Sequence, residues 1–158
     1  MIRRVLIFAV AAGLTTVLGV GVASAAPVTT TTTAKGVVDN FVDVVPSCAG
    51  GGPLYDITTT SNAIEHETVF DNGSAHATFT QTGTFVANPL NDPSLPSYTG
   101  KFTTWGGFND NGRGAVNGTD TFSVRGTGSD GSTFSNQAIE HFNTTPTGAE
   151  FFFSHCHD

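Results

Sequence analysis

The chain has 158 residues, of which 13 are acidic and 6 are basic, and its net charge is −7 at pH 7. An acidic protein is poorly suited to nucleic acids and to anionic membrane surfaces, because both are themselves negatively charged. The length fits one domain with a sizeable core, and 13 Phe residues are available to fill it. The 19 Gly residues and the many Thr residues are typical of β structure with tight turns.

Residues 1–25 have the three parts of a secretory signal peptide. Arg3 and Arg4 precede an apolar stretch from Val5 to Val22, and the small residues Ala23-Ser24-Ala25 follow it. This order predicts cleavage after Ala25 and export, with an uncleaved membrane anchor as the alternative. We therefore expect a secreted, extracellular protein that has no membrane segment after cleavage. Removal of Arg3 and Arg4 with the signal peptide would change the net charge from −7 to −9. The composition of this signal peptide looks bacterial.

The beginning of the mature chain is rich in Thr. Residues 26–36 contain five successive Thr residues, at 29–33, and offer too little apolar surface to offset the entropy of ordering, so we expect a flexible leader. The folded domain is then predicted to span residues 37–158, beginning with a strand that Pro46 ends.

The chain has two cysteines, Cys48 in the Gly-rich loop after the first predicted strand and Cys156 in the last predicted strand. In an exported protein a disulfide between them is expected, with free thiols or metal ligands as the alternative. Strand alternation gives His155 and His157 one face and Cys156 the other. A hydrated, disulfide-pinned terminus is the favoured interpretation, and a copper- or zinc-binding tail is the alternative.

A first hairpin is predicted around Asn72-Gly73. Asn-Gly suits the centre of a two-residue loop, and that loop would place His66 opposite Phe79. Both side chains would then point into the interior, together with Phe70.

A second hairpin is predicted around Asp130-Gly131. A two-residue loop there places Asp120 directly opposite His141, on an interior face that also carries Phe122. The sequence Ala-Ile-Glu-His occurs both at 63–66 and at 138–141. This match indicates either an internal duplication or a coincidence in a biased composition.

The strand that begins at Tyr98 leads into this meander. A loop at Asn111-Gly112 one residue longer than the minimal hairpin would place Tyr98, Phe102 and Phe108 on the same face as Phe122. The pattern of about eight short strands without a helix predicts an all-β fold, a single antiparallel up-and-down β-barrel. An immunoglobulin-like sandwich is disfavoured, because Trp105 is far from either cysteine in the sequence.

Two short motifs carry a resemblance to known proteins. The Tyr-Thr-Gly-Lys-Phe strand at 98–102 and the Gly-Thr-Gly-Ser-Asp-Gly-Ser turn at 126–132 resemble small secreted actinobacterial proteins of unknown function, from about Gly83 onward. At the level of fold, those proteins are similar to barrels of the lipocalin and of the allene oxide cyclase and dirigent type. The resemblance implies a cavity for a small apolar molecule, but the Gly-x-Trp signature of lipocalins is missing near the first strand.

These patterns favour a non-enzymatic secreted barrel that binds a small hydrophobic ligand in its interior. An enzyme of the cyclase or isomerase class, using Asp120 and His141 as an acid–base pair, is one alternative. A structural or surface-interaction module with a filled core is another. No cofactor, metal or nucleic acid is expected. The predicted ligand-binding residues are His66, Asp120, His141, Phe70, Phe79, Phe102 and Phe122.

Overall fold

The computed structural model describes residues 26–46, 48 and 51–157, so the predicted signal peptide at 1–25 lies outside the described residues. These residues form an all-β fold without a helix, in which seven antiparallel strands make one sheet and each strand pairs with its neighbours in sequence. The strands are β1 (Val28–Val44), β2 (Leu54–Val69), β3 (Ala75–Pro89), β4 (Tyr98–Asp110), β5 (Val116–Gly128), β6 (Thr133–Thr144) and β7 (Glu150–His157).

The sheet is not closed into a barrel. β1 and β7 are its two edges, and neither pairs with the other. In an up-and-down sheet of seven strands, the first and last strands run in the same direction. Closure would therefore need a parallel ladder, whereas antiparallel closure needs an even number of strands.

β1 is longer than the sequence suggested. Residues 28–36, expected to be a flexible leader, form its first half and pair with β2. The hydroxyls of Thr29 and Thr68 lie 2.9 Å apart, and a shift in register follows Ala34. Gly36, at φ 62°, lies in that shift, and its N–H donates to Asn62 at 2.9 Å. Hydrogen bonds to β2 thus order a segment that has few apolar side chains.

Alternation along the strands gives the sheet an inner and an outer face. The inner face contains the buried side chains, such as Tyr55, Ile57 and Phe85, whereas most side chains on the outer face are exposed. Thr and Ser dominate the outer face, as in the run of Thr78, Thr80, Thr82 and Thr84 on β3.

Two hairpin loops contain three residues rather than the expected two. The Phe70 N–H donates to the Ser74 carbonyl, and Gly73, at φ 80°, closes a turn by donating to the Phe70 carbonyl. The loop between Gly128 and Ser132 has the same pattern, with Gly131 at φ 85°. This geometry is a type I turn followed by a residue in the left-handed region, where Gly is favoured.

The extra loop residue shifts each ladder by one position and exchanges the faces. His66 lies opposite Thr78 on the outer face rather than opposite Phe79, and Asp120 lies opposite Glu140 rather than opposite His141. The two predicted registers were therefore wrong. For β4 the expected faces are correct, since Phe102 lies opposite Val124 on the inner face. The loop, closed by the Asn111 N–H donating to the Ala115 carbonyl, is one residue longer than the minimal hairpin, as expected.

One half of the inner face is filled, and we call it the packed half. Its buried cluster consists of Val45, Tyr55, Ile57, Phe85, Ala87, Phe102 and Val124. The rings lie over glycines on neighbouring strands. A methyl group at Gly83 would lie 2.6 Å from the Phe102 ring, and one at Gly126 would lie 3.0 Å from the Phe85 ring. Glycine therefore provides the room in which the aromatic rings pack on the backbone.

The predicted disulfide is present and closes the packed half. Cys48 and Cys156 are bonded, with their Cα atoms 5.7 Å apart. The loop after β1 thereby reaches β7. In the amide orientation that satisfies both of its polar groups, Asn136 accepts a hydrogen bond from the Cys48 N–H at 3.2 Å. This loop also buries Val45 in the core cluster, so it covers one end of the inner face.

Candidate functional site

The structure separates the three polar residues that the sequence placed together. His66 and His141 lie on the outer face and Asp120 on the inner face. The predicted pairing of Asp120 with His141 was wrong, because it assumed a two-residue loop at Asp130-Gly131. His141 instead lies opposite Thr119, with its Nδ1 atom 2.7 Å from the Thr119 hydroxyl.

The two Ala-Ile-Glu-His segments have equivalent surroundings. In both, the Glu points inward and the His points outward. His66 Nδ1 is 2.8 Å from the hydroxyl of Thr31, which lies directly opposite on β1, just as His141 is paired with Thr119. These histidines thus act as cross-strand hydrogen-bonding partners within the sheet.

The predicted Phe residues have different positions. Phe79, Phe102 and Phe122 lie on the inner face, as expected. Phe102 belongs to the packed half, where its ring centre is 6.1 Å from that of Phe122. Phe70 lies at the start of the β2–β3 turn and is 38% exposed, so it does not contribute to an interior site.

The other half of the inner face is only half-buried, and we call it the trough. β3 to β6 contribute its side chains, which are Phe79, Phe108, Asp120, Phe122, Glu140 and Phe142. One cross-strand row runs Phe79, Gly106, Asp120, Glu140 and Ser154. Gly106 has no side chain, and Asp120 lies against its backbone, where an added methyl group would be 2.7 Å from the Asp120 Cβ atom. This row therefore brings two adjacent carboxyl groups next to a glycine. Aromatic side chains lie on either side of it, with Phe122 on one side and Phe108 and Phe142 on the other.

Burial changes the chemistry of Asp120. The pKa of its carboxyl group is raised from 3.8 to about 6, mainly by desolvation and also by the negative charge of Glu140, whereas the charge of His141 opposes the shift. Like charges directly opposite one another destabilise a sheet. The Ser154 hydroxyl donates a hydrogen bond to Glu140 at 3.4 Å. The trough thus holds two adjacent carboxyl groups, and the charge of Glu140 disfavours the ionised form of Asp120.

Sequence reasoning missed three residues of the trough, namely Glu140, Phe108 and Phe142, as members of the site. The sequence did contain a signal for the position of Glu140. In both hairpins the first residue of the loop is followed by an Asx-Gly-Ser sequence. Asn72 and Asp130 each accept hydrogen bonds from the N–H and hydroxyl of the Ser two residues later. Such an Asx turn before an αL glycine favours the three-residue loop. That loop would have put Glu140 opposite Asp120.

The outer face carries a different feature, a shallow depression of about 610 Å³. Lys101 and Arg125 lie directly opposite each other in it. Hydroxyl-bearing side chains surround them, and these are Thr60, Thr82, Thr84, Thr103, Ser123 and Ser135. Trp105 lies further along β4 on the same face and is 41% exposed. This surface is polar and cationic, in contrast to the acidic trough.

Comparisons with models of protein families, with curated proteins and with solved structures found no significant match. Within the described ranges, no group of three or more His, Cys, Asp or Glu residues is arranged to hold a metal ion. The described part of the chain also contains no helix with the length and apolar character needed to cross a membrane.

Proposed function

We propose that this is an exported binding protein whose trough takes a small apolar molecule that carries a basic group. The observation on which the proposal rests is the Asp120–Glu140 carboxyl pair, half-buried among aromatic side chains on the inner face. The disulfide supports export, because such bonds persist in oxidising compartments.

The chemistry of the trough defines the ligand class. The rings of Phe79, Phe108 and Phe122 offer apolar surface, and few polar groups suffice to orient a ligand on such a surface. A ligand ammonium group between the carboxylates of Asp120 and Glu140 would offset their mutual repulsion and would form charge-assisted hydrogen bonds. Aromatic faces nearby add a cation–π attraction. A neutral or anionic molecule of the same shape would lack these gains.

The proposal includes a modified version of the predicted barrel, one that is incompletely closed. The disulfide joins the loop after β1 to β7, which is consistent with a sheet that wraps around its inner face as an incompletely closed barrel. The trough would then be the interior of this barrel, and the gap between the β1 and β7 edges would admit the ligand.

A matched pair of probes tests the proposal. Calorimetric titration with 4-phenylbutylamine and with 4-phenylbutanol compares a cationic and a neutral ligand of one apolar skeleton. We expect the amine to bind at least about ten-fold more tightly at pH 7, a difference of about 1.4 kcal/mol. Asp120→Asn should remove most of this preference, whereas Asp56→Asn, on the exposed outer face, should leave it unchanged. Equal binding of both probes, or no binding, would overturn the proposal.

A second candidate function is an interaction module with a filled core. The close packing of Phe85 and Phe102 over glycines in the packed half favours it, and the Lys101–Arg125 pair and Trp105 would offer an outer surface to a partner. Absence of probe binding to a folded protein would favour this candidate. An enzyme that uses Asp120 and His141 as an acid–base pair is not proposed, since the two residues lie on opposite faces.

A further inference from the structure

The five histidines of the chain fall into two groups. His66, His76 and His141 each have Nδ1 within 2.7–2.8 Å of a side-chain oxygen on a neighbouring strand. His155 and His157 are exposed on β7, and neither imidazole forms a hydrogen bond to another described residue, although the His157 carbonyl oxygen lies 3.6 Å from Cys48 Sγ. Their imidazole nitrogens are therefore available to an external partner.

His155 and His157 are also adjacent. They are separated by two positions on one strand, so both project from the outer face, whereas Cys156 between them points inward to the disulfide. Their ring centres are 4.3 Å apart, with ring planes at 86°. The neighbouring Phe153 ring stacks on His155 at 6.5 Å and 12°, which restricts one side of the pair.

The distance between the two ring centres can be compared with the distances expected for two imidazoles bound to one metal ion. A metal–nitrogen bond is about 2.0–2.1 Å, so, with each ring nitrogen about 1.1 Å from its ring centre, the metal would lie roughly 3.2 Å from each centre. Two such rings at 90° about the metal would have centres ~4.5 Å apart, whereas tetrahedral ligands would have centres ~5.2 Å apart. The observed distance of 4.3 Å between the ring centres is nearer to the right-angle value than to the tetrahedral value.

We propose that His155 and His157 form a surface site for Cu²⁺, in which the two imidazoles occupy adjacent equatorial positions and water fills the others. Cu²⁺ prefers tetragonal geometry and has the highest affinity of the divalent first-row ions for nitrogen ligands. The disulfide at Cys156 anchors the strand between the two ligands, which limits the conformational entropy lost on binding. The site lies on the outer face and is independent of the trough.

The test is a Cu²⁺ titration of the purified protein, followed by calorimetry and by electron paramagnetic resonance. We expect one tightly bound equivalent whose spectrum shows coupling to two imidazole nitrogens. His155→Ala and His157→Ala should each weaken binding at least about ten-fold, and Zn²⁺ should bind more weakly than Cu²⁺. The matched control is His76→Ala, which removes another outer-face imidazole and should leave the Cu²⁺ affinity unchanged.

A measurement on the unmodified protein keeps the test valid if a variant fails to fold. Substoichiometric Cu²⁺ should selectively broaden the imidazole resonances of His155 and His157 in a nuclear magnetic resonance spectrum. Uniform broadening of all five histidines would overturn the proposal. The proposal would also be overturned if a folded variant with both His155→Ala and His157→Ala kept its Cu²⁺ affinity. The same holds if His76→Ala lowered the Cu²⁺ affinity as much as His155→Ala or His157→Ala does.

Discussion

The packed half and the trough occupy the same face of the sheet, yet most of the buried large side chains lie in the packed half. In the packed half, Phe85 lies opposite Gly100, and a side chain at Gly100 would meet the Phe85 ring. In the trough, Gly106 lies between Phe79 and Asp120. The carboxyl group of Asp120 cannot fill apolar space as an aromatic ring does. Gly106 therefore lies beside a carboxyl group, whereas at Gly118 the Phe142 ring lies over the backbone as the rings of the packed half do.

The packed half and the trough also differ in their electrostatic interactions. Aromatic pairs stabilise the packed half, as with Tyr55 and Tyr98, whose ring centres are 5.7 Å apart in an edge-to-face arrangement. In the trough, Asp120 faces Glu140. The trough thus holds two residues that repel each other, whereas the packed half holds residues that pack well. This repulsion costs stability, and ligand binding is a physical reason for such a cost.

The largest expected effect comes from removing one aromatic ring from each half. Phe85 is 6% exposed, and Phe85→Ala should lower the free energy of unfolding by about 3–5 kcal/mol, because it leaves a cavity that the rigid backbone cannot fill. Phe108 is half-buried, and Phe108→Ala should cost about 1–2 kcal/mol. Urea unfolding followed by circular dichroism measures both values.

The slope of the unfolding curve serves as the control, since an unchanged slope shows that both variants unfold from the same compact state. Equal losses in the two variants would show that the trough is packed as tightly as the other half. The distinction between the two halves would then be wrong.

The next effect concerns the disulfide. Cys48 and Cys156 are 108 residues apart in sequence, and replacing both by Ser should lower the free energy of unfolding by about 2–4 kcal/mol, because the unfolded chain regains the entropy of the open loop. In the folded state, loss of the bond should in addition loosen the packed half, where the loop after β1 buries Val45.

Hydrogen exchange locates the effect of this double variant. We expect faster exchange at the amides of Tyr55 and Ile57, and little change at those of Phe79 and Phe108. A uniform increase along all strands would indicate that the disulfide stabilises the whole sheet and does not specifically close one end.

The sequence predicted the strand content, the meander order and the disulfide, because these depend on local alternation and on the chemistry of cysteine. It did not predict the register of two hairpins. Asn72-Gly73 and Asp130-Gly131 are compatible with loops of two or three residues, and a change of one residue exchanges the faces. Asp120 was correctly placed inside, but its partner was not identified. His66 and His141 were placed inside although both lie outside.

The first half of β1 could not be predicted for a different reason. Thr29–Thr33 carry no periodic apolar signal, so their order depends on hydrogen bonds to β2, including the contact between Thr31 and His66. Such tertiary pairing overrides local composition. The barrel was an extrapolation from strand number, and an odd number of strands leaves β1 and β7 as edges.

The smallest expected effect tests the electrostatic difference between the packed half and the trough. Because the folded pKa of Asp120 is about 6 and its ordinary value is 3.8, the folded state binds the proton more tightly than the unfolded state does. This carboxyl group should therefore make the protein less stable as pH rises from about 4 to 6, and constant above that range. Asp120→Asn should raise the free energy of unfolding at pH 7 by about 1 kcal/mol, a value reduced because the half-buried group is partly screened. At pH 4 the difference should vanish.

Asp130 gives the matched control, since it lies in the β5–β6 turn and its pKa is shifted in the opposite direction. Hydrogen bonds from the Ser132 hydroxyl and N–H lower the pKa of Asp130, so its contribution to stability is present above its ordinary pKa and is lost as pH falls. Asp130→Asn should bring no gain at pH 7. Urea unfolding of the three proteins at pH 4 and pH 7 distinguishes the cases. If Asp120→Asn were as stable as the parent at both pH values, the carboxyl pair would carry no stored repulsion, and a cationic ligand would gain nothing by relieving it.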